Sequence, residues 1–538
     1  MQPSKNKPDF IIVGAGSAGC VLANRLTANG KHKVLLLEAG PDSAHPWLRI
    51  PLGYARLFRD RRFNWCYQTE PQAHCAGRNI VAPRGRVLGG SSSINGLIYI
   101  RGQKQDFDHW RQLGNTGWGF DDVLPYFRKA EDNERGANEW HGAGGPLGVS
   151  DLRDRHPLAQ AWVDAAVESG YPRNADFNGA EQEGAGLYQT TMRHGVRSST
   201  AAAYLAPVRN RANLQVITDA LTTRIVFDGK RATGVEYEAR GVKYTAQANA
   251  EVIVAAGAFN SPQLLQLSGL GPAELLRGHG VPVIADLPSV GAELSDHYFT
   301  RIILRAKEPL SLNDAVRQWH RGAAAAFRYA FGRRGYFAIP AISAGCFLRA
   351  HPTAATPDIQ ASLGLYSVQN IGETLHPFSG VTAVCCLLRP ESKGFVRIKS
   401  ADPREAPAIN PNYLASEKDC DTMLHGLRAV RRILQAPAIQ HHIAEEFEPG
   451  PACNSDDELL DYARRRGSTV YHPVSTCRMG RDSTAVVDER LRVRGFAGLR
   501  VIDASVMPSL VSGNTNAATI MIAEKGADMV LEDVKARA

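Results

Sequence analysis

The first forty residues alternate between short apolar runs and one stretch with helical spacing. An apolar run at 9–13 leads into the turn Gly14-Ala-Gly16-Ser-Ala-Gly19, helical spacing continues to Leu26, and a second apolar run at 33–37 ends at Glu38. This order is the pattern of a βαβ unit. The runs 251–256 and 499–503 are typical of buried parallel strands, and 516–531 has helical spacing. The two ends of the chain are therefore predicted to build one doubly wound domain.

Between these ends the pattern changes. Residues 213–257 contain alternating runs that start at Leu214, Arg224 and Thr233, and these runs predict antiparallel strands. Residues 300–460 mix strand-like runs with a helix at about 421–434. We predict an α/β fold in which a Rossmann-like nucleotide-binding domain carries an inserted α+β substrate domain built on an antiparallel sheet. The first domain is assigned residues 1–155, 208–298 and 466–538, and the second 156–207 and 299–465.

Length and charge agree with two lobes and exclude some partners. The chain has 538 residues, a size at which a single core usually divides. Its net charge of +8 is spread along the sequence, so no nucleic-acid-binding arm is predicted. The basic segment 315–334 interleaves five arginines with four aromatic residues. It is either a helix on a membrane surface near a quinone acceptor or a solvated helix that packs its aromatic side chains on the second lobe, and the second alternative is favoured.

Cysteine usage and the amino terminus indicate the compartment. The nine cysteines include no C-x-x-C pair, a pattern typical of free thiols in a reducing compartment. The first residues show no apolar signal core, and the chain has no run of 18 apolar residues. The expected location is the cytoplasm, either free or as a peripheral protein of the inner membrane. No metal site is predicted.

The glycine turn and the acid after the second strand form a dinucleotide fingerprint. Glycines at this spacing let the backbone approach a pyrophosphate, and Glu38 is placed to accept hydrogen bonds from ribose hydroxyls. An acid at this position disfavours a 2′-phosphate, so NADP is disfavoured while FAD and NAD both remain open.

Two further clusters contain residues suited to a cofactor or a reaction. Arg84 to Gly96 joins two adjacent glycines to three serines, which suits backbone that lies against a flat ring with N–H and hydroxyl groups aimed at its polar edge. Tyr471-His472-Pro473 lies shortly before the carboxyl-terminal βα region. Sixteen histidines leave room for chance, so the sequence pattern alone does not single out His472.

Taken together, these motifs resemble the glucose–methanol–choline (GMC) oxidoreductases, and the resemblance covers nearly the whole chain. It rests on the following segments: Gly14–Gly19 with Glu38, Arg84–Asn95, Gly257–Pro272, Val290–His297, His472–Gly480 and Asn514-Thr-Asn516. The resemblance implies FAD-dependent oxidation of a primary alcohol to the aldehyde, with hydride transfer to the flavin and electrons passed to a quinone-type acceptor. An oxidase that uses O₂ remains an alternative.

The resemblance also implies roles for individual residues. His472 matches the family's catalytic base and Asn516 its partner. Ile94 stands where some members attach FAD through a histidine, so the flavin is expected to be non-covalent. The expected cofactor-binding residues are Gly14, Gly16, Ser17, Ala18, Gly19, Glu38, Ala39, Val87, Gly90, Asn95, Gly96, Thr222, Asp503, Ala504, Asn514 and Thr515.

The resemblance further points to a substrate class. Trp65 matches an aromatic residue that contacts the trimethylammonium group in choline-oxidising relatives, and Ser343 occupies the position of their acidic residue. A cation would lose its counter-charge here, so we expect an uncharged aliphatic or aromatic alcohol, with choline as the alternative. A flavoprotein without alcohol oxidation, or a lyase, is a further alternative that the His472/Asn516 pair disfavours. A disulfide reductase is disfavoured because no redox cysteine pair follows the first βαβ unit.

Overall fold

In the computed structural model, which describes residues 7–369 and 374–537, two sheets organise the chain. The first sheet is parallel and has five strands. Their order across the sheet is Leu214–Ile217, Val34–Leu37, Phe10–Val13, Glu251–Val254 and Leu499–Val501. The three central strands are buried throughout, as continuous apolar runs predict. Helices Ser17–Leu26 and Asn516–Arg537 pack on this sheet and on each other.

The prediction for the first alternating run was wrong. Leu214–Ile217 is an edge strand that pairs in parallel with Val34–Leu37. An edge strand has a neighbouring strand on one side only, and Leu214–Ile217 is accordingly only partly buried, so polar residues are tolerated in it and its sequence imitates that of an antiparallel strand. The other two runs do form an antiparallel sheet, made of Ala220–Asp228, Arg231–Ala239 and Val242–Gln247.

The second large sheet is antiparallel and has seven strands. Along its main path lie Ile443–Glu448, Tyr298–Ala306, Gly380–Leu387, Ile359–Gly364, Ile342–Leu348 and Gly184–Leu187, and Ser468–Thr469 pairs with Tyr298–Ala306. The predicted inserted domain on an antiparallel sheet is therefore confirmed. The residue limits of this domain stay a prediction. The strand Tyr298–Ala306 begins one residue before the proposed boundary at 299, and Ser468–Thr469 joins the sheet from the segment assigned to the first domain. Within the same region, Phe395–Arg397 is also a strand, but it pairs with Ala408–Asn410 outside the seven-stranded sheet.

Short strand pairs and the other helices complete the fold. The remaining pairs are Tyr67–Gln68 with Val81–Ala82, Glu131–Asn133 with Leu147–Val149, Met192–Arg193 with Val196–Arg197, and Leu270–Gly271 with Ala285–Asp286. The other α-helices are Tyr54–Leu57, Lys104–Gln112, Phe120–Ala130, Pro157–Glu168, Gly257–Leu267, Ala273–Gly278, Leu312–Arg317, Trp319–Gly332, Glu417–Gln435, Pro437–Gln440 and Asp456–Arg466.

The basic segment 315–334 does not form one helix. It is divided at Gln318, between the helices Leu312–Arg317 and Trp319–Gly332. The favoured interpretation, in which its aromatic side chains pack on the second lobe, holds for Tyr329 alone, since Trp319, Phe327 and Phe331 are exposed.

Two structural observations relate to the predicted compartment. All nine cysteines have free thiols. No helix within the described ranges is long and apolar enough to cross a bilayer. Residues 1–6, which carry part of the argument against a secretion signal, lie outside the described residues.

Candidate active site

One cavity of about 910 Å³ runs from the carboxyl edge of the parallel sheet to the face of the antiparallel sheet. It is lined by every predicted cofactor residue except Gly19 and Val87, and also by His472, Asn516 and Trp65. Ligands of α/β proteins bind at the carboxyl ends of the parallel strands, and the glycine turn and Glu38 lie at this edge of the sheet.

The glycine turn leaves room only for backbone. A Cβ atom on Gly14, which has φ +96°, would lie 2.6 Å from the Ala255 carbonyl oxygen, and a Cβ on Gly90 would lie 2.7 Å from the Gly16 Cα. Gly19 lies beneath the cavity, because a Cβ there would meet the Gly14 carbonyl oxygen at 1.8 Å. Its contribution is the close packing of the helix on the turn, and Val87 is likewise buried away from the lining.

Glu38 is held at the edge of this cavity by the backbone. Its two carboxylate oxygens accept hydrogen bonds from the N–H groups of Ala15 and Gly40, each at 2.9 Å. Burial outweighs these bonds and raises the pKa of Glu38 to about 7. Further along the wall, the buried Thr222 hydroxyl has no hydrogen-bond partner in the described structure. An acid at the strand end, an unpaired hydroxyl and a glycine cradle fit the adenosine and diphosphate of FAD.

Several polar groups that were expected to contact the cofactor form hydrogen bonds with other protein groups. The hydroxyls of Ser92 and Ser93 donate to backbone carbonyl oxygens of their own loop and do not line the cavity, whereas Ser91 lines it and accepts from the Gly85 N–H. Asn95 accepts a hydrogen bond of 2.7 Å from Arg197, a buried residue that the sequence analysis missed. Asp503 accepts from the Gly257 N–H and from Ser261 and Ser505, and thereby fixes the loop before the last helix.

His472 lies deep in the cavity wall and is fixed at its backbone and at its ring. Asp296 accepts a hydrogen bond of 2.8 Å from the His472 N–H, and Thr469 and Tyr413 donate to the other oxygen of the same carboxylate. The Nδ1 atoms of His297 and His472 are 3.0 Å apart. In the sequence, His297 stands only as the last residue of the Val290–His297 motif and no role was predicted for it, while its contact with His472 joins residues 175 positions apart.

The partners of the two imidazoles determine where their protons are. His297 Nε2 lies 3.1 Å from the Leu388 carbonyl oxygen, which can only accept, so this nitrogen carries a proton. Burial lowers the pKa of His297 to about 4, and burial, His297 and Arg84 lower the pKa of His472 well below its ordinary value. With both rings neutral, His297 Nδ1 is an acceptor and His472 Nδ1 donates to it. His472 Nε2 is therefore unprotonated at neutral pH and has a lone pair that can accept a proton.

The structure corrects the expected asparagine partner. Asn514 Nδ2 lies 3.1 Å from His472 Nε2, whereas Asn516 Oδ1 accepts a 2.8 Å bond from the Ser17 hydroxyl in the glycine turn. Asn514 Oδ1 is buried with no hydrogen-bond partner in the described structure. The amide beside the base is thus Asn514, and Asn516 belongs to the cofactor end of the cavity.

The substrate prediction also needs a correction. Ser343 does not line the cavity, because it is buried and its hydroxyl donates to the Pro340 carbonyl oxygen at 3.0 Å. A bulge between Ile342 and Ala344 shifts the strand, and Ile342 lines the cavity instead. Trp65 does line it, stacked on Tyr67 with ring centroids 5.6 Å apart and with the Arg86 guanidinium over its ring.

Charge differs between the two ends of the cavity. Among the described lining residues, the carboxylates are Glu38 and Asp503, both on the parallel-sheet side. Four arginines also line it: Arg56, Arg84, Arg301 and Arg317. Phe299, Ile342 and Tyr366 add an apolar surface on the antiparallel sheet. This end suits a neutral organic molecule better than a cation.

One surface cluster bears on the expectation of no metal site. Potential ligand atoms of His351, Asp421 and His425 lie within 4.8 Å of one another. The Thr353 N–H donates to His351 Nδ1, and His351 Nε2 lies 2.8 Å from Asp421 Oδ2. Both ring nitrogens of His351 therefore have partners within the protein.

Fold and cavity together define a two-lobed, dinucleotide-binding redox enzyme with an unprotonated histidine at its reactive end. The family profile described as GMC oxidoreductase matches residues 8–299 in its amino-terminal part and 390–523 in its carboxyl-terminal part. The chain belongs to this family and is an FAD-dependent oxidoreductase.

Individual relatives match almost the full length of the chain. The chain is 44% identical over 529 residues to "Alcohol dehydrogenase [acceptor]" of Pseudomonas putida, with 98% of this chain and 96% of the relative covered. It is 42% identical to "Choline dehydrogenase, mitochondrial" of Mus musculus, with 98% and 90% covered. The crystal structure of pyridoxine 4-oxidase from Mesorbium loti superposes with a TM-score of 0.89 at 32% identity, covering 97% of this chain and 99% of that one.

Proposed function

We propose that this chain oxidises an uncharged primary alcohol to the aldehyde. The observation that carries the proposal is the unprotonated Nε2 of His472, which lies in the cavity wall next to the Asn514 amide. Removal of two electrons from an alcohol requires a base for the hydroxyl proton and an acceptor for the hydride. Bound FAD supplies the hydride acceptor.

His472 and Asn514 have different roles at the substrate oxygen. His472 Nε2 takes the hydroxyl proton, and His297 Nδ1 accepts from the His472 Nδ1–H, which stabilises the imidazolium as it forms. Asn514 Nδ2 donates to His472 Nε2 while that nitrogen is unprotonated, and once Nε2 has taken the proton the amide is free to donate to the developing alkoxide. The buried Tyr471 hydroxyl, which lines the cavity without a hydrogen-bond partner in the described structure, is a further polar contact for the substrate.

The rest of the cavity supports non-covalent FAD and a neutral substrate. Ile94 lines the wall where some relatives carry the attaching histidine, and its side chain offers no nucleophile. Arg301 and Arg84 place positive charge at the substrate end, and the Trp65 ring already contacts Tyr67 and Arg86. A trimethylammonium group would find repulsion there rather than a carboxylate partner.

The relatives support an alcohol substrate and an electron acceptor other than NAD. The Pseudomonas putida relative is named as an alcohol dehydrogenase with a separate acceptor. We assign this chain the same class of reaction, with a quinone-type compound as acceptor. Choline dehydrogenation is the second candidate, because the mouse relative carries that name.

Steady-state turnover separates these candidates. The FAD-loaded enzyme is assayed with a medium-chain primary alcohol, benzyl alcohol and choline, with a quinone analogue as acceptor and with O₂ alone. We expect turnover of a neutral alcohol with the quinone analogue and little with choline. A preference for choline would reject the neutral substrate, and equal turnover in O₂ with release of peroxide would assign an oxidase.

A further inference from the structure

Four large apolar side chains are exposed together beside the mouth of the cavity. Trp319 is 82% exposed, Phe331 80%, Val316 71% and Phe327 65%. Elsewhere in the described chain, large exposed apolar side chains occur singly and none exceeds 50%. Clustered exposure of this kind marks a surface that binds a partner.

The helix Trp319–Gly332 presents this surface as a stripe. Trp319, Ala323, Phe327 and Phe331 recur every fourth residue, so their side chains share one face. Ala325 and Tyr329 lie on the opposite side and are the buried residues of this helix. The Tyr329 hydroxyl donates to the Gly195 carbonyl oxygen at 3.2 Å. The helix is therefore anchored by its underside, and its apolar stripe points to solvent.

Positive charge predominates around the stripe. Residues 315–334 contain five arginines and no acidic residue: Arg317, Arg321, Arg328, Arg333 and Arg334. Asp154 lies 3.9 Å from Arg334, alone among these arginines. Arg317, Arg328, Arg333 and Arg334 are exposed. Aromatic side chains flanked by arginines, on a helix too short to span a bilayer, are the pattern of a helix that lies in a lipid interface.

We propose that the stripe Trp319–Phe331 with Val316, here called the docking stripe, inserts into an anionic lipid surface. Positive charge complements acidic headgroups, and Trp is enriched at the depth of the headgroups. A second copy of this chain fits less well, because a symmetric contact through the stripe would bring the same arginines face to face.

The docking stripe borders the entrance to the active site. Leu312, Val316 and Arg317 of the preceding helix line the cavity, and Val316 is also part of the stripe. Docking would therefore place the cavity mouth at the membrane, where apolar alcohols and quinones concentrate. This consequence for substrate access rests on the proposed function, whereas the docking itself does not.

Vesicle flotation of the FAD-loaded protein tests the proposal. The vesicles contain phosphatidylcholine alone or phosphatidylcholine with phosphatidylglycerol. The first variant combines Trp319→Ser, Phe327→Ser and Phe331→Ser. Its matched control makes the same number of apolar-to-serine changes at exposed positions elsewhere: Leu113→Ser, Val242→Ser and Ile284→Ser. A second pair compares Arg328→Gln with Arg333→Gln against Arg240→Gln with Arg277→Gln.

The wild-type protein and both control variants should float with the anionic vesicles. The stripe variant should lose at least about tenfold in partitioning. The Arg328/Arg333 variant should bind the anionic vesicles less and show a smaller sensitivity to salt than the wild type. Wild-type protein that stays at the bottom of the gradient, or a stripe variant that floats like its control, would overturn the proposal.

Two further measurements distinguish lipid docking from self-association and from misfolding. Sedimentation velocity of the wild type and of the stripe variant detects self-association, and a dimer that the stripe changes abolish, without flotation of the wild type, would assign the surface to a second copy. FAD content and turnover of a water-soluble alcohol show that the stripe variant is folded. An enzyme that floats but oxidises no alcohol would reject the proposed function and leave the docking intact.

Discussion

His297 and His472 meet through their Nδ1 atoms at 3.0 Å, and only one of the two can carry a proton. Because His297 donates through Nε2 to the Leu388 carbonyl oxygen, the shared proton belongs to His472. A residue outside the substrate contacts thus sets the tautomer of the base. This relationship makes His297 a positioning residue, and it generates the first prediction.

His297→Ala should slow flavin reduction about tenfold or more, because the His472 ring loses the acceptor that fixes its tautomer and stabilises its charge. His297→Asn should recover part of the rate, since its amide can accept from His472 and donate toward Leu388. The measurement is anaerobic stopped-flow reduction across pH. Equal rates and unchanged pH profiles in both variants, at full FAD content, would show that His297 only fills space.

The depressed pKa values predict a specific dependence of stability on pH. The folded pKa of His297 is about 4, while an unfolded histidine titrates near 6.5. The unfolded chain therefore binds the proton first as pH falls, so stability is complete above about 6.5 and is lost between about 6.5 and 4.

His297 alone should account for about 3 kcal/mol of this change. Chemical unfolding of the wild type and of His297→Asn, measured at several pH values in that window, checks the prediction. The variant should show a shallower slope than the wild type, and parallel slopes would argue that His297 is not buried as a neutral ring.

Substitutions of the two asparagines in the Asn514-Thr-Asn516 motif should have different effects. Asn514→Ala removes the amide beside His472 Nε2, so the rate of flavin reduction should fall roughly 10²-fold while FAD stays bound. Asn516→Ala removes the acceptor of the Ser17 hydroxyl, so it should weaken FAD binding more than it slows the reaction. Each variant serves as the control for the other. The reverse pattern would restore the assignment expected from the sequence.

The substrate preference should respond to charge in the cavity wall. Arg301→Gln removes a positive charge from the substrate end, which should raise kcat/KM for choline relative to that for a neutral alcohol. Steady-state kinetics with both substrates measure the ratio, and Arg240→Gln on the exposed surface is the matched control. An unchanged ratio would show that this charge does not govern selection.

Local patterns were sufficient to predict the βαβ unit that carries the glycine turn and Glu38. The fingerprint glycines and Glu38 lie within 25 residues and follow from the spacing of one βαβ unit. The inserted antiparallel sheet was predicted as an architecture, but its individual strands were not located, because strands such as Ile359–Gly364 and Gly380–Leu387 are as continuously buried as those of the parallel sheet.

The reactive end depended on contacts that spacing does not encode. His297 and His472 are far apart in the chain, and only pairing between segments 295–297 and 470–474 brings them together. Which asparagine of Asn514-Thr-Asn516 faces the base depends on where the last helix begins, at Asn516. Ser343 was misplaced because a bulge shifts the strand, and a shift of one residue moves a side chain to the other face.

The most direct test of the account is anaerobic stopped-flow reduction of the FAD-loaded enzyme by a neutral primary alcohol. The wild type should bleach the flavin, and His472→Ala with full FAD content should do so about 10²–10⁴-fold more slowly, because it lacks the base. A His472→Ala enzyme that reduces its flavin at nearly the wild-type rate would contradict the account.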